Sequence, residues 1–142
     1  MGETFTMLAR LATLVLIATL LAGCASTPGL YRVFGKGEVT YRGASWCLPF
    51  GLKRVLRRVA YHYGDVHVFS TFRSPWHNWR VGGASRSYHK TCRAADFTVR
   101  GADMRAVYAY VKRQRAVGGH KLYPKGRGGH IHIDNGARRS WR

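Results

Sequence analysis

Six carboxylates stand against 24 lysines and arginines in this chain of 142 residues, leaving a formal net charge of +18. A chain that repels itself this strongly cannot be held together by ion pairs. It must bury apolar surface, and 46% hydrophobic residues, with 13% aromatic, supply the means. The length allows one domain. The charge excludes an ordinary cytosolic enzyme surface and implies anionic surroundings: nucleic acid, acidic lipid or an acidic cell-wall polymer. The scarcity of acids also narrows the chemistry, because only Glu3, Glu38, Asp65, Asp96, Asp103 and Asp134 can supply a carboxylate.

The N-terminus reads as an address. Leu11 to Ala22 is apolar apart from Thr13 and Thr19. A spanning helix needs about 20 apolar residues, so this run is too short to cross a bilayer comfortably. Arg10 precedes it and small residues follow, the layout of a secretory signal. The run closes on Leu21-Ala22-Gly23-Cys24, which resembles a bacterial lipobox, where the cysteine is lipidated and becomes the first mature residue. An ordinary signal peptide or an N-terminal anchor helix is the alternative. The expected organisation is a signal over 1–23, a tether and N-terminal segment over 24–44, and a folded domain over 45–142. Acyl chains at about 0.8 kcal/mol per buried methylene would hold the protein on a membrane facing the periplasm or cell wall. Such a chain rarely meets nucleic acid, so no nucleic-acid partner is expected, and a monomer is. Cys47 and Cys92 remain once Cys24 is set aside. In an oxidising compartment they are expected to pair, closing a loop of about 45 residues and stabilising by roughly 3–4 kcal/mol. Two buried free thiols are the alternative.

Along the folded part, Leu52, Val55, Leu56, Val59 and Ala60 recur at helical spacing, with Lys53, Arg54, Arg57 and Arg58 on the other side. This predicts an amphipathic helix ending near Gly64. Val66–Phe72 and Ala94–Val99 read as strands. Ser74–Ser87 holds Pro75, Gly82 and Gly83 and reads as a long surface loop, whose Trp76 and Trp79, with Tyr88 beyond it, line either a groove, its rim or the core. Met104, Val107, Tyr108 and Val111 mark a second helix with Asp103 as N-cap. His120–Tyr123 and His130–Asp134 pair as a hairpin. The order predicts a small single α+β domain, a central antiparallel sheet with flanking helices.

Seven histidines give the chain its chemistry. His130 and His132 are two apart, so on a strand both imidazoles face one side. His89 and Asp96 are seven apart, at the loop exit and inside the next strand. Two histidines and one carboxylate with an open fourth position make the ligand set of a catalytic zinc ion. Half-exposed strand histidines are also common without a metal.

Three ordered motifs carry a resemblance. Ser70-Thr71-Phe72-Arg73-Ser74-Pro75-Trp76-His77-Asn78, running on to Val81-Gly82-Gly83-Ala84, resembles the substrate loop of the zinc D-Ala-D-Ala carboxypeptidases, a group shared with lysostaphin-type endopeptidases and the hedgehog domain. Ser87-Tyr88-His89 followed by Ala94-Ala95-Asp96 is similar to the family pattern S-x-H-x-x-G-x-A-x-D. Gly129-His130-Ile131-His132-Ile133-Asp134, with Asn135-Gly136 and Trp141 beyond, is similar to its closing strand. The resemblance covers about residues 49–142. It implies a hedgehog/DD-peptidase-like fold, a Zn2+ cofactor held by His89, Asp96 and His132, and a substrate carboxylate gripped by Arg73, with Ser87 beside it.

Two departures accompany it. Cys92 stands where the family has glycine, and either tolerates a tight turn or is held there by Cys47. His130 stands where near relatives often have an apolar residue, which makes it a candidate to move protons or to assist the oxyanion. A glutamate base is missing near the motifs, because Glu38 lies in or near the tether. Asp134 is the remaining candidate base, and equally a group that fixes an imidazole. The implied activity is hydrolysis of D-Ala-containing bonds in peptidoglycan stem peptides, as carboxypeptidase or endopeptidase. The alternative is a non-catalytic peptidoglycan-binding lipoprotein on the same fold. His77-Asn78 faintly resembles an HNH nuclease motif, but its context is wrong.

Overall fold

The computed structural model describes residues 37–124 and 129–141. The apolar run and Cys24 lie outside them. Helix α1 (Phe50–Tyr63) forms as its pattern predicts. Leu52, Val55, Leu56, Val59 and Ala60 are buried along one stripe, while Arg54, Arg57 and Arg58 are exposed on the other. It stops at Gly64, whose φ of 109° would strain any side chain.

Among the described residues one sheet holds six strands: β1 (Val39–Tyr41), β2 (Val66–Ser70), β3 (Ala94–Val99), β4 (Gly119–Tyr123), β5 (His130–Asp134) and β6 (Arg139–Ser140), in the order β1-β2-β3-β5-β4-β6. The four central strands pair antiparallel, and β4 and β5 form the expected hairpin pair. The edges depart from expectation, since β1 pairs parallel to β2 and β6 parallel to β4. The sheet is therefore mixed within an α+β domain. Helix α1 is the crossover that a parallel β1–β2 pair requires.

Period-two alternation gives the sheet two unlike faces. Ala95, Phe97 and Val99 of β3 and Ile131 and Ile133 of β5 join Val66 and Val68 in one buried cluster with the apolar stripe of α1 and with Val107 and Val111 of α3 (Met104–Val111). Helix α3 begins as expected, Asp103 Oδ1 accepting from the Arg105 N–H at 2.9 Å. Asp96, His132 and Asp134 occupy the alternate positions and point to the other face.

Several elements were absent from the sequence expectation, β6 and a short 3-10 turn over Tyr88–Thr91 among them. β1 lies N-terminal to the expected domain start at residue 45. Helix α2 (Pro75–Arg80) occupies the expected loop, with Ser74 Oγ accepting from the His77 N–H at 3.2 Å and Pro75 in the first turn. Trp76 and Trp79 project outward at 62% and 75% exposure, so neither packs in the core.

Candidate metal centre

His89 sits on a short 3-10 turn, Tyr88–Thr91, which Ser87 opens by accepting from the His89 N–H at 3.3 Å. The turn closes at Cys92, which adopts a left-handed conformation, φ 55° and ψ 33°. That conformation explains a glycine in the similar family, and here the Cys47–Cys92 disulfide ties the residue down, with Cα atoms 5.8 Å apart. Asp96 and His132 need no such tether. They are register partners on β3 and β5, so the antiparallel ladder itself brings them side by side.

The three side chains converge. His89 Nε2 lies 3.1 Å from Asp96 Oδ1 and 3.2 Å from His132 Nδ1, and His132 Nδ1 lies 2.7 Å from the same carboxylate oxygen. All three residues are buried. The far side of each imidazole fixes its tautomer. His89 Nδ1 lies 2.6 Å from the Thr71 carbonyl, which can only accept, so Nδ1 carries the hydrogen and the Nε2 lone pair faces inward. His132 Nε2 lies 3.3 Å from Asp134 Oδ2, so its hydrogen points to that carboxylate and Nδ1 faces the cluster. Two imidazole lone pairs and a carboxylate oxygen thus meet, and such a group calls for a cation. Tetrahedral ligands with bonds of about 2.1 Å lie about 3.4 Å apart, close to the spacing observed, so the residues fit zinc.

Without a metal, a proton on His132 Nδ1 serves instead. Burial works against that charge, but hydrogen bonds to Asp134 and Asp96 outweigh it and raise the imidazole pKa. Burial likewise opposes the charge on Asp96, yet hydrogen bonds from His132 and His89 hold its carboxyl well below the usual range.

The other expected residues fall around this cluster in different ways. Arg73 donates from Nε to Ser70 Oγ at 2.8 Å and from Nη2 to Asp96 Oδ2. One arm of the guanidinium is therefore engaged on the Asp96 carboxylate, and Nη1 makes no hydrogen bond among the described residues. Asp134 is fully buried and accepts from the N–H groups of Gly119 and Gly136 at 3.1 and 2.8 Å, and from Arg139 Nη2 at 2.7 Å. Burial would raise its carboxyl; these bonds, with His132 foremost, bring it down to about 2. His130 differs from both neighbours on its strand face. Its ring stacks on Tyr123, centroids 4.4 Å apart, and meets Phe69 edge-on at 5.3 Å. It makes no side-chain hydrogen bond among the described residues, and burial lowers its pKa, opposed by the Asp96 charge.

A cleft of about 780 Å³ opens over the cluster, with Arg73, Ser87, Tyr88, His130, Arg139 and Trp141 among its lining residues. Trp76 and Trp79 do not line it. Sequence reasoning missed Arg139, one of 24 basic residues with no motif to mark it, and missed the Thr71 carbonyl, since a backbone acceptor leaves no trace in residue type. It also missed Gly119, where an added Cβ would run into the Asp134 carboxylate.

A buried His–Asp–His donor set with one open side, on a mixed sheet backed by helices, offers three ligand atoms that could hold a metal ion beneath the cleft. The Peptidase M15 family model matches residues 35–134, which span both strands of the site and the turn that carries His89. The chain belongs to the Peptidase M15 family, the D-Ala-D-Ala carboxypeptidase-type group that its motifs resemble. No curated protein matches the chain.

Proposed function

We propose that this protein is a zinc-dependent peptidase that hydrolyses D-Ala-containing peptide bonds in peptidoglycan stem peptides, trimming a terminal residue or cutting a cross-link. The observation that carries the reading is the pair of opposed tautomers. His89 is fixed from behind by the Thr71 carbonyl and His132 by Asp134, so both lone pairs meet Asp96 Oδ1 beneath an open cleft. His89, Asp96 and His132 would hold the ion, and zinc bound there supplies Lewis acidity and an activated water.

The chain's own residues do the rest. Arg73, with Nε and Nη2 engaged, offers Nη1 to an anionic group of the substrate. His130, which lines the cleft and whose pKa burial lowers, accepts the proton of the attacking water at a ring nitrogen and returns it to the leaving amine. Asp134, clamped by Arg139, keeps His132 in the ligating tautomer. Cys24 carries the lipid that holds the domain outside the cell, a reading supported by the lipobox-like tetrapeptide. Loss of fatty-acid label in Cys24→Ala tests it.

The experiment for the main reading is an assay of purified protein on muropeptides, with chelator and with zinc restored. Release of D-Ala or cleavage of cross-linked dimers that chelator stops and zinc restores is the expected result. A second reading rests on one observation: no glutamate lines the cleft among the described residues. Muropeptide binding without any turnover in the zinc-loaded protein would establish that reading, a binding protein on a peptidase fold, in place of the first.

A further inference from the structure

A second cleft lies in the helical layer. It measures about 360 Å³, runs between α1 and the turn that follows α3, and is lined by Arg54 and Arg58 on one side and Arg113 and Arg115 on the other. Gly51 and Ala116 bring the two sides together: a Cβ on Gly51 would stand 3.0 Å from that of Ala116, so a side chain at residue 51 would push the turn back by a few tenths of an ångström. Gln114 fixes one wall, its Oε1 accepting from Arg58 Nη1 at 3.3 Å.

This arrangement costs the fold stability. Arg54 and Arg58 are four apart on one helix face, where like charges repel, and two more guanidiniums face them. Four of the five carboxylates among the described residues are engaged elsewhere, and the fifth, Glu38, forms no ion pair among those residues. Asp65 accepts from the Glu38 N–H, Asp103 caps the far end of α3, and Asp96 and Asp134 belong to the metal centre. None of the four arginines has an ion-pair partner among the described residues. Four planar forks around one cleft fit phosphate oxygens, which guanidinium binds in pairs. Beside the cleft Phe50 is 62% and Trp46 83% exposed, with the Arg54 guanidinium 4.8 Å over the Phe50 ring and Lys53 Nζ donating to the Trp46 carbonyl at 3.3 Å. Exposed aromatic rings interleaved with cations suit a bilayer interface, where the ring enters the headgroup layer and the cation meets phosphate.

We propose that this cleft is a binding site for the phosphate headgroup of an anionic phospholipid, and that it seats the helical layer on a membrane surface. The metal centre lies on the opposite face of the sheet, so a domain seated this way presents the cleft over His89, Asp96 and His132 away from the lipid. The site is independent of the peptidase reading and of any lipid on Cys24.

The test uses the full chain in micelles of a neutral detergent, titrated with short-chain phosphatidic acid while backbone amide shifts are followed by NMR. Shifts concentrated at Arg54, Arg58 and 113–116 are expected. The double variants Arg54→Gln with Arg58→Gln, and Arg113→Gln with Arg115→Gln, should each weaken binding by about 25-fold, taking about fivefold for each arginine. A control pair of exposed arginines outside the cleft, Arg100→Gln with Arg105→Gln, should change it less than about twofold. Inorganic phosphate should shift the same amides but bind more weakly than the lipid, having nothing to place against Phe50 and Trp46. Equal losses in all three double variants would show a response to net charge alone and overturn the site. Equal affinity for inorganic phosphate and lipid would overturn the assignment to a membrane.

Discussion

The two faces of the sheet share their backbone and almost nothing else. In β5 the residues His130, Ile131, His132, Ile133 and Asp134 alternate between them. Ile131 and Ile133 enter an apolar cluster beneath α1 and α3, while His132 and Asp134 enter a network of hydrogen bonds below an open cleft that His130 lines from its stack on Tyr123. On the apolar face stability comes from contact area, which any side chain of suitable shape supplies. On the polar face the ring nitrogens of His89 and His132 and the carboxylate oxygens of Asp96 and Asp134 each have a named partner, and that arrangement holds for one set of residue types. The faces should therefore fail separately. Phe97→Ala should cost about 3–5 kcal/mol of folding free energy while the protein that remains folded still binds one zinc. His132→Ala should abolish zinc binding and leave the metal-free protein folded. Urea denaturation beside metal analysis checks both. Loss of zinc in Phe97→Ala, or unfolding in His132→Ala, would mean that the two faces are one cooperative unit.

Within the polar face the next contrast is between two histidines on one strand. His132 is bonded on both ring nitrogens; His130 is only stacked. His130→Ala should keep zinc and lose roughly 10²–10⁴ in turnover. Equal zinc loss in the two variants would overturn the division of labour proposed for them.

The His89 turn depends on a cross-link where Asp96 and His132 depend on a ladder. Cys47→Ser with Cys92→Ser should cost about 3–4 kcal/mol of stability. Cys47→Ser with Cys92→Gly should recover roughly 1 kcal/mol of that, because glycine meets the left-handed conformation at residue 92 without strain. Identical denaturation curves for the two pairs would show that the backbone at residue 92 relaxes once the bond is gone. Smaller again is Asp134→Asn, which should weaken zinc by about 10–100-fold, measured by competition with a chelating dye, since the amide can no longer accept equally from His132 and Arg139.

How far the residues announced this structure follows the same division. β-branched and aromatic composition made β3 legible, and the period of two placed His130 and His132 on one face of β5. The 3.6-residue period made α1 legible, and Asp103 the start of α3. β1 escaped because three residues carry no period and its parallel partner lies beyond a whole helix. α2 escaped because only Asn78 is buried in it, so its tryptophans face out and leave no amphipathic stripe, although Ser74-Pro75 was a usable start signal. That His89, Asp96 and His132 come together was legible through the family motifs. The partners that fix it were not: a backbone carbonyl at Thr71 and one arginine among 24 are chosen by tertiary geometry, and residue type alone does not mark them.

The smallest effect sharpens the comparison through charge. His120 on β4 pairs with Ile133, on the apolar side, and its Nδ1 meets the Tyr108 hydroxyl at 2.9 Å. Burial lowers its pKa below 6.5, and the charges of Arg138 and Lys112 add to this. His132, across the sheet, is shifted the other way by its carboxylates. The signs of their linkage to folding are opposite. Below about pH 6.5 an unfolded chain takes a proton that His120 in the fold refuses, so its contribution is present above that pH and declines as pH falls towards the lowered value. The contribution of His132 is fully present below about pH 6.5 and is lost as pH rises through its raised value. In chelator, the change in unfolding free energy between pH 7.5 and 5.5 should then move in opposite directions in two variants. His120→Gln should remove an acid-side loss of stability, and His132→Ala should remove an acid-side gain. Urea titrations at the two pH values measure both. Shifts of the same sign would show that the two faces do not impose opposite electrostatics on their histidines.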